Sequence, residues 1–521
     1  MAKAITVFNR IIATLLLIAA VVVLVVSSLT TIYYDMHIDV DWPQYGKENI
    51  PMLGAFVLGA LAVFFVFMKL EVFKNYARGW IIALGIITVY CLVLIFSIRP
   101  LPVDDAMLME KAARQFETGD YSALTDAGGY LFIWPFQLGY FGYTQILAKV
   151  FGSANYTPWF IMQLLCILLT VFLIYKMTWE LFEDRDTCGI VALLSIGALF
   201  FYNYVTFLYG DIVSMAPQTL ALYMMILFLK REKIWYALVS ALAIALAIVL
   251  KSNCEIALIA IIMVLIGSAF ISSGTGRETV KKGAKNSGSS TKLTMRIALA
   301  AVFLIAVFAG KRAVDTYYCN LTGLEKIPGG SPAWSHIAMG LQESELEDGW
   351  YNGYNYDVFA ENDYDTAKTS KAAKANIKET LSDFVKRPLH AGRFFLRKFT
   401  TQWTDSVCIS THNLDLVSRH VEDQPWLCDF LVFGQGSTVL IWIMNVFMPV
   451  CYIGVAIYLI GILFRRKAKP QEMLLLILIF GGIVFHEFWE GSSRYTMRYY
   501  IYWMPYGAYG IRRLFGGKFR T

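Results

Sequence analysis

The chain contains about twelve apolar runs, each of roughly 20 residues, which is the length of one helical crossing of a bilayer. Of its 521 residues, 57% are hydrophobic and only 16% are charged, and the mean hydropathy is +0.54. A soluble globular domain carries roughly 25% charged residues. The sequence therefore predicts an all-α polytopic membrane protein with about twelve transmembrane helices. The predicted spans lie near residues 9–30, 52–69, 79–98, 157–176, 188–209, 212–229, 234–250, 254–272, 296–314, 437–464, 471–489 and 496–511.

The first apolar run, at 11–26, could be mistaken for a signal peptide because Lys3 and Arg10 precede it. The run is long, lacks a convincing small-residue cleavage site and is followed by further spans, so we interpret it as an uncleaved first helix.

The distribution of Lys and Arg predicts the orientation in the membrane. With an even number of spans, the basic clusters fall on the same face as both termini, and the positive-inside rule makes that face cytoplasmic. The opposite, extracytoplasmic face carries mostly acidic loops. This asymmetry also explains the formal charge of +6, so the composition gives no indication of nucleic-acid binding. The basic clusters lie at 69–78, 230–233, 281–292, 465–467 and 512–520.

Four parts are predicted along the chain. Residues 1–75 form two added N-terminal spans. Residues 76–314 form a transmembrane core with a first external loop at 99–156 and a basic, Gly- and Ser-rich cytoplasmic linker at 273–295. Residues 315–436 form an extracytoplasmic loop domain, and 437–521 form the last spans and a basic cytoplasmic tail.

The external domain should contain two consecutive helices. Residues 366–387 have an apolar stripe at helical spacing that ends at Pro388. In residues 389–403, aromatic side chains alternate with Arg393, Arg397 and Lys398, which is typical of an amphipathic helix lying on a membrane.

The eight cysteines contain no C-x-x-C pair and have no histidine at metal-ligand spacing, so they indicate neither a zinc site nor a redox pair. Three of them, Cys319, Cys408 and Cys428, fall in the external domain. A disulfide among these three is possible but its pairing stays open.

Charged residues stand at the outward ends of several predicted spans. Each of them alone would fit a helix stop or a snorkelling side chain. Together they bring carboxylates and cations to one membrane depth, as a site for a lipid phosphate and a sugar hydroxyl requires. These residues are Asp104 and Asp105 after the third span, Asp211 in a tight turn, Lys251, and Glu490 and Arg494 in the last external loop.

This location constrains the chemistry. Because nucleotide sugars are not available outside the cytoplasm, an externally facing glycosyltransferase needs a sugar already activated on a lipid, typically polyprenyl phosphate. Lys251 and Arg494 would stabilise the phosphate of the leaving group. A carboxylate that is partly desolvated at the interface has a raised pKa and can act as the base for the acceptor hydroxyl.

Several motifs resemble bacterial membrane glycosyltransferases of the GT-C superfamily, in particular protein O-mannosyltransferase and aminoarabinose-transferase type enzymes. The resemblance covers most of the chain from about residue 80 onward. A further motif pair, at 334–341 and 349–354, resembles the external-loop signature of a Gram-positive branch. The remaining motifs are P-V-D-D at 102–105, G-D-Y-S at 119–122, Y-x4-P-F-Q-L-G at 130–139, L-Y-G-D at 208–211 and W-E-x3-R-Y at 489–495.

The resemblance implies roles for individual residues. An acid in the first external loop is the proposed catalytic base, which is Asp105 or Asp104 here. The acid at the next outward turn, Asp211, would bind the acceptor or a divalent metal ion, the only cofactor that is implied. Many relatives carry Asp-Glu where this chain has Asp-Asp, so the choice between the two acids stays open.

The other candidates have weaker support. His336 would join the donor phosphate site or would simply pack inside the external domain. Trp334 would stack on a sugar or belong to that domain's own core. Glu490, Tyr130 and Gln137 complete the predicted substrate-binding set.

The sequence thus predicts a membrane glycosyltransferase that transfers a sugar, with inversion, from a polyprenyl-phosphate donor to a cell-envelope glycan, a lipid or a protein. A polymerase or ligase of lipid-linked polysaccharide is the nearest alternative, because its substrates and its membrane face are the same. A lipid or glycan flippase or transporter would show internal repeats and charges near the bilayer midplane, and neither is evident. A structural scaffold would not explain the outward acids and cations.

Overall fold

The computed structural model describes residues 2–270 and 287–516, and these residues are overwhelmingly α-helical. The predicted all-α class is confirmed. Most of the predicted linker at 273–295 lies outside the described residues. In chain order the α-helices are α1 (Ala2–Leu29), α2 (Ile50–Lys69), α3 (Tyr76–Ile98), α4 (Asp104–Glu117), α5 (Ser122–Thr125), α6 (Tyr130–Ile133), α7 (Leu138–Phe151), α8 (Tyr156–Phe182), α9 (Arg185–Gly197), α10 (Leu199–Tyr202), α11 (Gly210–Arg231), α12 (Ile234–Leu250), α13 (Glu255–Gly267), α14 (Ser287–Thr322), α15 (Ala333–Gly340), α16 (Tyr354–Glu361), α17 (Thr366–Lys386), α18 (Pro388–Trp403), α19 (Ser410–Ser418), α20 (Trp426–Cys428), α21 (Gln435–Phe464), α22 (Pro470–Phe488) and α23 (Met497–Leu514).

Short helical turns of other types connect several of these helices. The 3-10 turns of the described residues lie at Val72–Lys74, Pro135–Gln137, Asn203–Thr206, Ser252–Cys254 and Ser493–Thr496, and a π-helical turn lies at Asp429–Phe433.

The membrane-spanning helices follow the predicted apolar runs. Within the described residues, eight helices are long and apolar enough to cross a membrane, and α9 together with the segment Leu199–Thr206, bent by 57°, would make a ninth. Two shorter apolar helices, Ile234–Leu250 and Ser252–Gly267, follow α11. The chain is therefore a multi-pass membrane protein. All twelve predicted runs contain helix, but the count of twelve crossings stays a prediction.

Side-chain caps explain where several helices begin. The side chain of Asn49 accepts a hydrogen bond of 3.1 Å from the amide of Met52 at the start of α2. Asp365 accepts from two amides at the start of α17, and Pro388 occupies the first position of α18, where a missing N–H costs nothing. The two helices predicted for 366–387 and 389–403 are confirmed.

A two-stranded antiparallel hairpin, which the sequence analysis did not predict, joins the first two spans. Its strands are β1 (Thr30–Tyr34) and β2 (Pro43–Lys47), with Thr30 paired to Lys47. The β-branched and aromatic composition of β1 favours a strand. The hydroxyl of Tyr34 is buried and donates a hydrogen bond of 2.8 Å to Asp405, between α18 and α19. The N-terminal segment is therefore packed onto the rest of the protein through this hairpin.

Candidate active site

A buried carboxylate with two cationic partners lies where α11 begins. Oδ2 of Asp211 is 3.3 Å from Nζ of Lys251, which directly follows α12. Oδ1 of Asp211 is 3.4 Å from Nη2 of Arg498 in the first turn of α23. Asp211 is only 2% exposed. Three segments that are distant in sequence therefore meet at this carboxylate, two of which the sequence analysis had placed together.

Glycine permits this close approach. A Cβ atom on Gly210 would lie 2.6 Å from the carbonyl oxygen of Leu250 and 3.3 Å from Cδ of Lys251. A Cβ atom on Gly139 would overlap the carbonyl group of Val249. Because neither glycine carries a side chain, the starts of α7 and α11 can both lie against the end of α12. This packing places Lys251 beside Asp211.

The ring of Tyr209 joins the two cations that were predicted for donor binding. Nζ of Lys251 lies 4.0 Å from the ring centroid, and Cζ of Arg494 lies 5.7 Å from it. Both distances are in the range of cation–π attraction. The side-chain amide of Gln137 donates a hydrogen bond to the Tyr209 hydroxyl. Tyr209 therefore holds Lys251, Arg494 and Gln137 in one cluster.

The loop between α22 and α23 contributes a second acid. The Tyr495 hydroxyl donates a hydrogen bond of 3.0 Å to Oε1 of Glu490. Burial raises the pKa of Glu490, and the nearby charge of Arg494 opposes that increase. Burial would lower the pKa of Arg494, but Tyr495 and Asp211 outweigh it and raise that pKa well above its usual range. The guanidinium thus stays charged at any physiological pH.

The two adjacent acids at the start of α4 differ in their surroundings. Asp104 is exposed and has a left-handed backbone with φ of 49°, whereas Asp105 is half-buried. Partial burial, followed by the charges of Asp41 and Asp105, raises the pKa of Asp104. The charge of Asp105 adds to burial in raising the pKa of Tyr130 and that of Glu490. Asp105 therefore shares the cluster that contains Tyr130 and Glu490.

Lys398 departs from the expectation that α18 presents its cations to the membrane surface. Its side chain is 0% exposed. Its ammonium donates hydrogen bonds to the main-chain oxygens of Glu487 at 3.1 Å and Trp489 at 2.7 Å, and to that of Gly340. Burial lowers its pKa to about 8. Lys398 thus anchors α18 to the main chain just before Glu490.

A second anchor lies on the other side of Arg494. The carboxylate of Asp405 accepts hydrogen bonds from the hydroxyl of Ser493 at 2.5 Å and from that of Tyr34 at 2.8 Å. Burial raises the pKa of Asp405, and these hydrogen bonds counteract that increase. Since Ser493 directly precedes Arg494, Asp405 and the N-terminal hairpin both help to position this loop.

Two further predicted residues, His336 and Trp334, contact side chains outside the cluster. The His336 ring is parallel to that of Trp489 at 4.8 Å, and burial lowers its pKa to about 4, so it is neutral at physiological pH. A neutral imidazole could donate to a phosphate but would not add charge. Trp334 is 43% exposed, and the ammonium of Lys374 lies 4.8 Å from its ring. The predicted roles of both residues in substrate binding stay predictions.

The role of Asp211 as a metal ligand stays a prediction. Among residues 2–270 and 287–516, no group of three or more His, Cys, Asp or Glu side chains is arranged to hold a metal ion. Lys251 and Arg498 already neutralise Asp211, the predicted metal ligand. All eight cysteines are free thiols, so Cys319, Cys408 and Cys428 form no disulfide with one another.

Residues 139–307 match the family model described as dolichyl-phosphate-mannose-protein mannosyltransferase. This segment is therefore similar to that family of mannosyltransferases. It contains Asp211 and Lys251, whereas Asp105, Glu490 and Arg494 lie outside it.

A comparison with curated proteins finds no match. Among solved structures, the chain is similar to the archaeal oligosaccharyltransferase AglB from Archaeoglobus fulgidus, which was solved in complex with an inhibitory peptide and a dolichol-phosphate. The identity is 14% and the TM-score is 0.38. The alignment covers 83% of this chain and 50% of AglB, so the chain spans about half the length of that protein.

Sequence reasoning missed several residues of the candidate site. Arg498 falls inside the last predicted span. Its spacing of four residues from Arg494 was the available signal, because such residues lie on one face of a helix. Nothing local in the sequence could have identified the contact between Tyr34 and Asp405, which are 371 positions apart.

Proposed function

We propose that this enzyme transfers a sugar, with inversion, from a polyprenyl-phosphate-linked donor to an extracytoplasmic acceptor. The observation that supports this most is the arrangement around Tyr209, where Lys251 and Arg494 lie over one ring, near the acids Asp105 and Glu490. A transferase that uses such a donor needs cations that bind the phosphate. It also needs a nearby carboxylate that can accept the proton of the acceptor hydroxyl.

The two cations would act on the leaving group. As the bond between the sugar C1 and the phosphate oxygen breaks, negative charge grows on the polyprenyl phosphate. Lys251 and Arg494 are preorganised for that charge, because Asp211 holds the first and a cage of Phe207, Tyr209 and Tyr495 rings holds the second. Preorganised cations stabilise developing charge more than mobile solvent does.

Asp105 would act on the acceptor. It accepts the proton of the attacking hydroxyl while the new bond forms at C1, and one displacement of this kind inverts the configuration. Asp105 is the better candidate of the two acids because its charge acts on Tyr130 and Glu490, two residues of the predicted substrate-binding set. A general base near the reacting hydroxyl contributes about 10²–10⁴-fold to the rate.

The membrane orientation completes the proposal. Both termini would be cytoplasmic, and residues 315–436 would face outward together with the cluster around Asp211. The donor would then be lipid-linked in the outer leaflet, and the acceptor would be a cell-envelope glycan, a lipid or a protein on that side.

Donor affinity tests this proposal. In purified enzyme, Lys251→Ala and Arg494→Ala should each raise the KM for the lipid-linked donor, since losing a charge-assisted hydrogen bond costs about 1.5–3 kcal/mol. Arg494→Lys should restore only part of the lost donor affinity, because an ammonium group cannot form the bidentate hydrogen bonds of a planar guanidinium. Arg312→Ala, an exposed arginine of α14, is the matched control. Wild-type donor affinity in both alanine variants would place the phosphate elsewhere.

A further inference from the structure

A groove of about 980 Å³ lies between the outward end of α1 and the amphipathic helix α18. One wall consists of valines from the transmembrane part of α1, of which Val21 and Val25 are exposed. The other wall consists of α18 and the loop after α15. The groove therefore joins a membrane-facing apolar surface to a polar rim. Its valines are Val21, Val22, Val25 and Val26.

The polar rim carries both signs of charge. Arg393 is exposed, and no ion pair is found for it among the described residues. Arg397 contacts Glu347 through Nε at 2.7 Å, yet its side chain is 60% exposed. Glu343 is 69% exposed and its closest basic neighbour is the His390 ring at 3.7 Å. Asp348 is the second acid of the rim.

We propose that this groove binds a phospholipid whose head group carries a phosphate and a primary ammonium, as in phosphatidylethanolamine. An acyl chain would lie along the α1 valines, and the phosphate would contact Arg393 and Arg397. The ammonium would then reach Glu343 and Asp348.

The mixed charge of the rim favours this head group over others. An anionic glycerol head group would leave Glu343 and Asp348 without a cation and would be repelled by them. A choline head group has no N–H to donate to these carboxylates. The groove is separate from the proposed donor site, because neither Lys251 nor Arg494 lines it. This lipid would thus be a structural ligand and not the sugar donor.

Native mass spectrometry of the delipidated full-length protein tests the proposal. The protein is incubated in turn with phosphatidylethanolamine, phosphatidylcholine and phosphatidylglycerol that have identical acyl chains. Phosphatidylethanolamine should be retained most. The Arg393→Glu variant should weaken its retention about tenfold, which corresponds to about 1.4 kcal/mol. Arg312→Glu, outside the groove, should retain the lipid like the wild type.

Three results would overturn the proposal: equal retention of all three lipids, unchanged retention in Arg393→Glu, or displacement of the bound lipid by polyprenyl phosphate. Val22→Trp gives a second test, since an indole in the apolar wall should block the acyl chain. If this change at the half-buried Val22 impairs folding, Arg393→Glu still decides the result, because Arg393 is exposed.

Discussion

The ammonium of Lys251 lies 3.3 Å from the carboxylate of Asp211, and the two side chains are 11% and 3% exposed. Asp211→Asn would leave Lys251 and Arg498 buried without their counter-charge. Breaking a buried ion pair in this way costs about 3–5 kcal/mol. We therefore expect a lower thermal unfolding temperature together with weaker donor binding, measured on the detergent-purified protein.

An exposed ion pair provides the control for this prediction. Asp363 and Lys368 lie 3.0 Å apart, with side chains 84% and 58% exposed. Asp363→Asn should change stability by less than about 1 kcal/mol. If Asp211→Asn behaves like Asp363→Asn, the buried pair does not hold the site together.

Gly210→Ala should disturb the site without changing any charged group. The new methyl group would lie 2.6 Å from the carbonyl oxygen of Leu250, so the end of α12 must move and take Lys251 with it. We expect a higher KM for the donor. Gly85→Ala in α3 is the control, because a Cβ atom there meets nothing within 4 Å. A wild-type donor KM in Gly210→Ala would show that the close packing at Gly210 does not position Lys251.

Lys398 should make activity depend on pH. Its ammonium makes three hydrogen bonds to main-chain oxygens, and a neutral amine has only two N–H groups to donate. Burial lowers its pKa to about 8, partly offset by Glu487, Glu490 and Asp348. Activity should therefore fall as the pH rises through about 8, and Lys398→Met should lack this limb of the pH–rate profile.

The protonation of Lys398 should affect the stability of the folded protein in the opposite direction to its effect on activity. The unfolded chain keeps the ordinary pKa of 10.5, so between about 8 and 10.5 it binds more protons than the folded protein does. The contribution of Lys398 to stability therefore rises with pH in that window. Thermal unfolding measured beside activity separates the two effects. If activity and thermal stability both fell above pH 8, the loss of activity would be due to denaturation and not to deprotonation of Lys398.

Cysteine labelling tests the orientation. In a variant whose native cysteines have been replaced, Asp348→Cys should react with a membrane-impermeant maleimide in intact cells. Lys285→Cys, in the segment outside the described residues, should react only after the cells are opened. Labelling of Lys285→Cys in intact cells would reverse the predicted topology.

The sequence predicted the helices well because a bilayer leaves few alternatives for long apolar runs. It also predicted much of the cluster, since Asp105, Asp211, Lys251, Glu490 and Arg494 all stand where a span ends. For such residues, position along the chain indicates membrane depth.

What the sequence did not predict depends on tertiary packing. Lys398 lies on a helix whose pattern indicates a membrane-surface cation, yet the fold buries it because three main-chain oxygens converge on its ammonium. The hairpin at Thr30–Lys47 is short, and its role is apparent only from the contact between Tyr34 and Asp405. Hydrophobic periodicity carries no information about such distant pairs.

Substitution of Asp105 tests the proposed general base most directly. Asp105→Asn is nearly isosteric and should lower turnover by about 10²–10⁴-fold while donor binding persists, because only the proton acceptor is lost. Asp104→Asn, at the exposed neighbouring position, should lose much less. The decisive measurement is kcat for both variants with the polyprenyl-phosphate donor and the acceptor that the wild type uses, beside donor Kd. A large loss confined to Asp105→Asn supports the account, and wild-type turnover in that variant would contradict it.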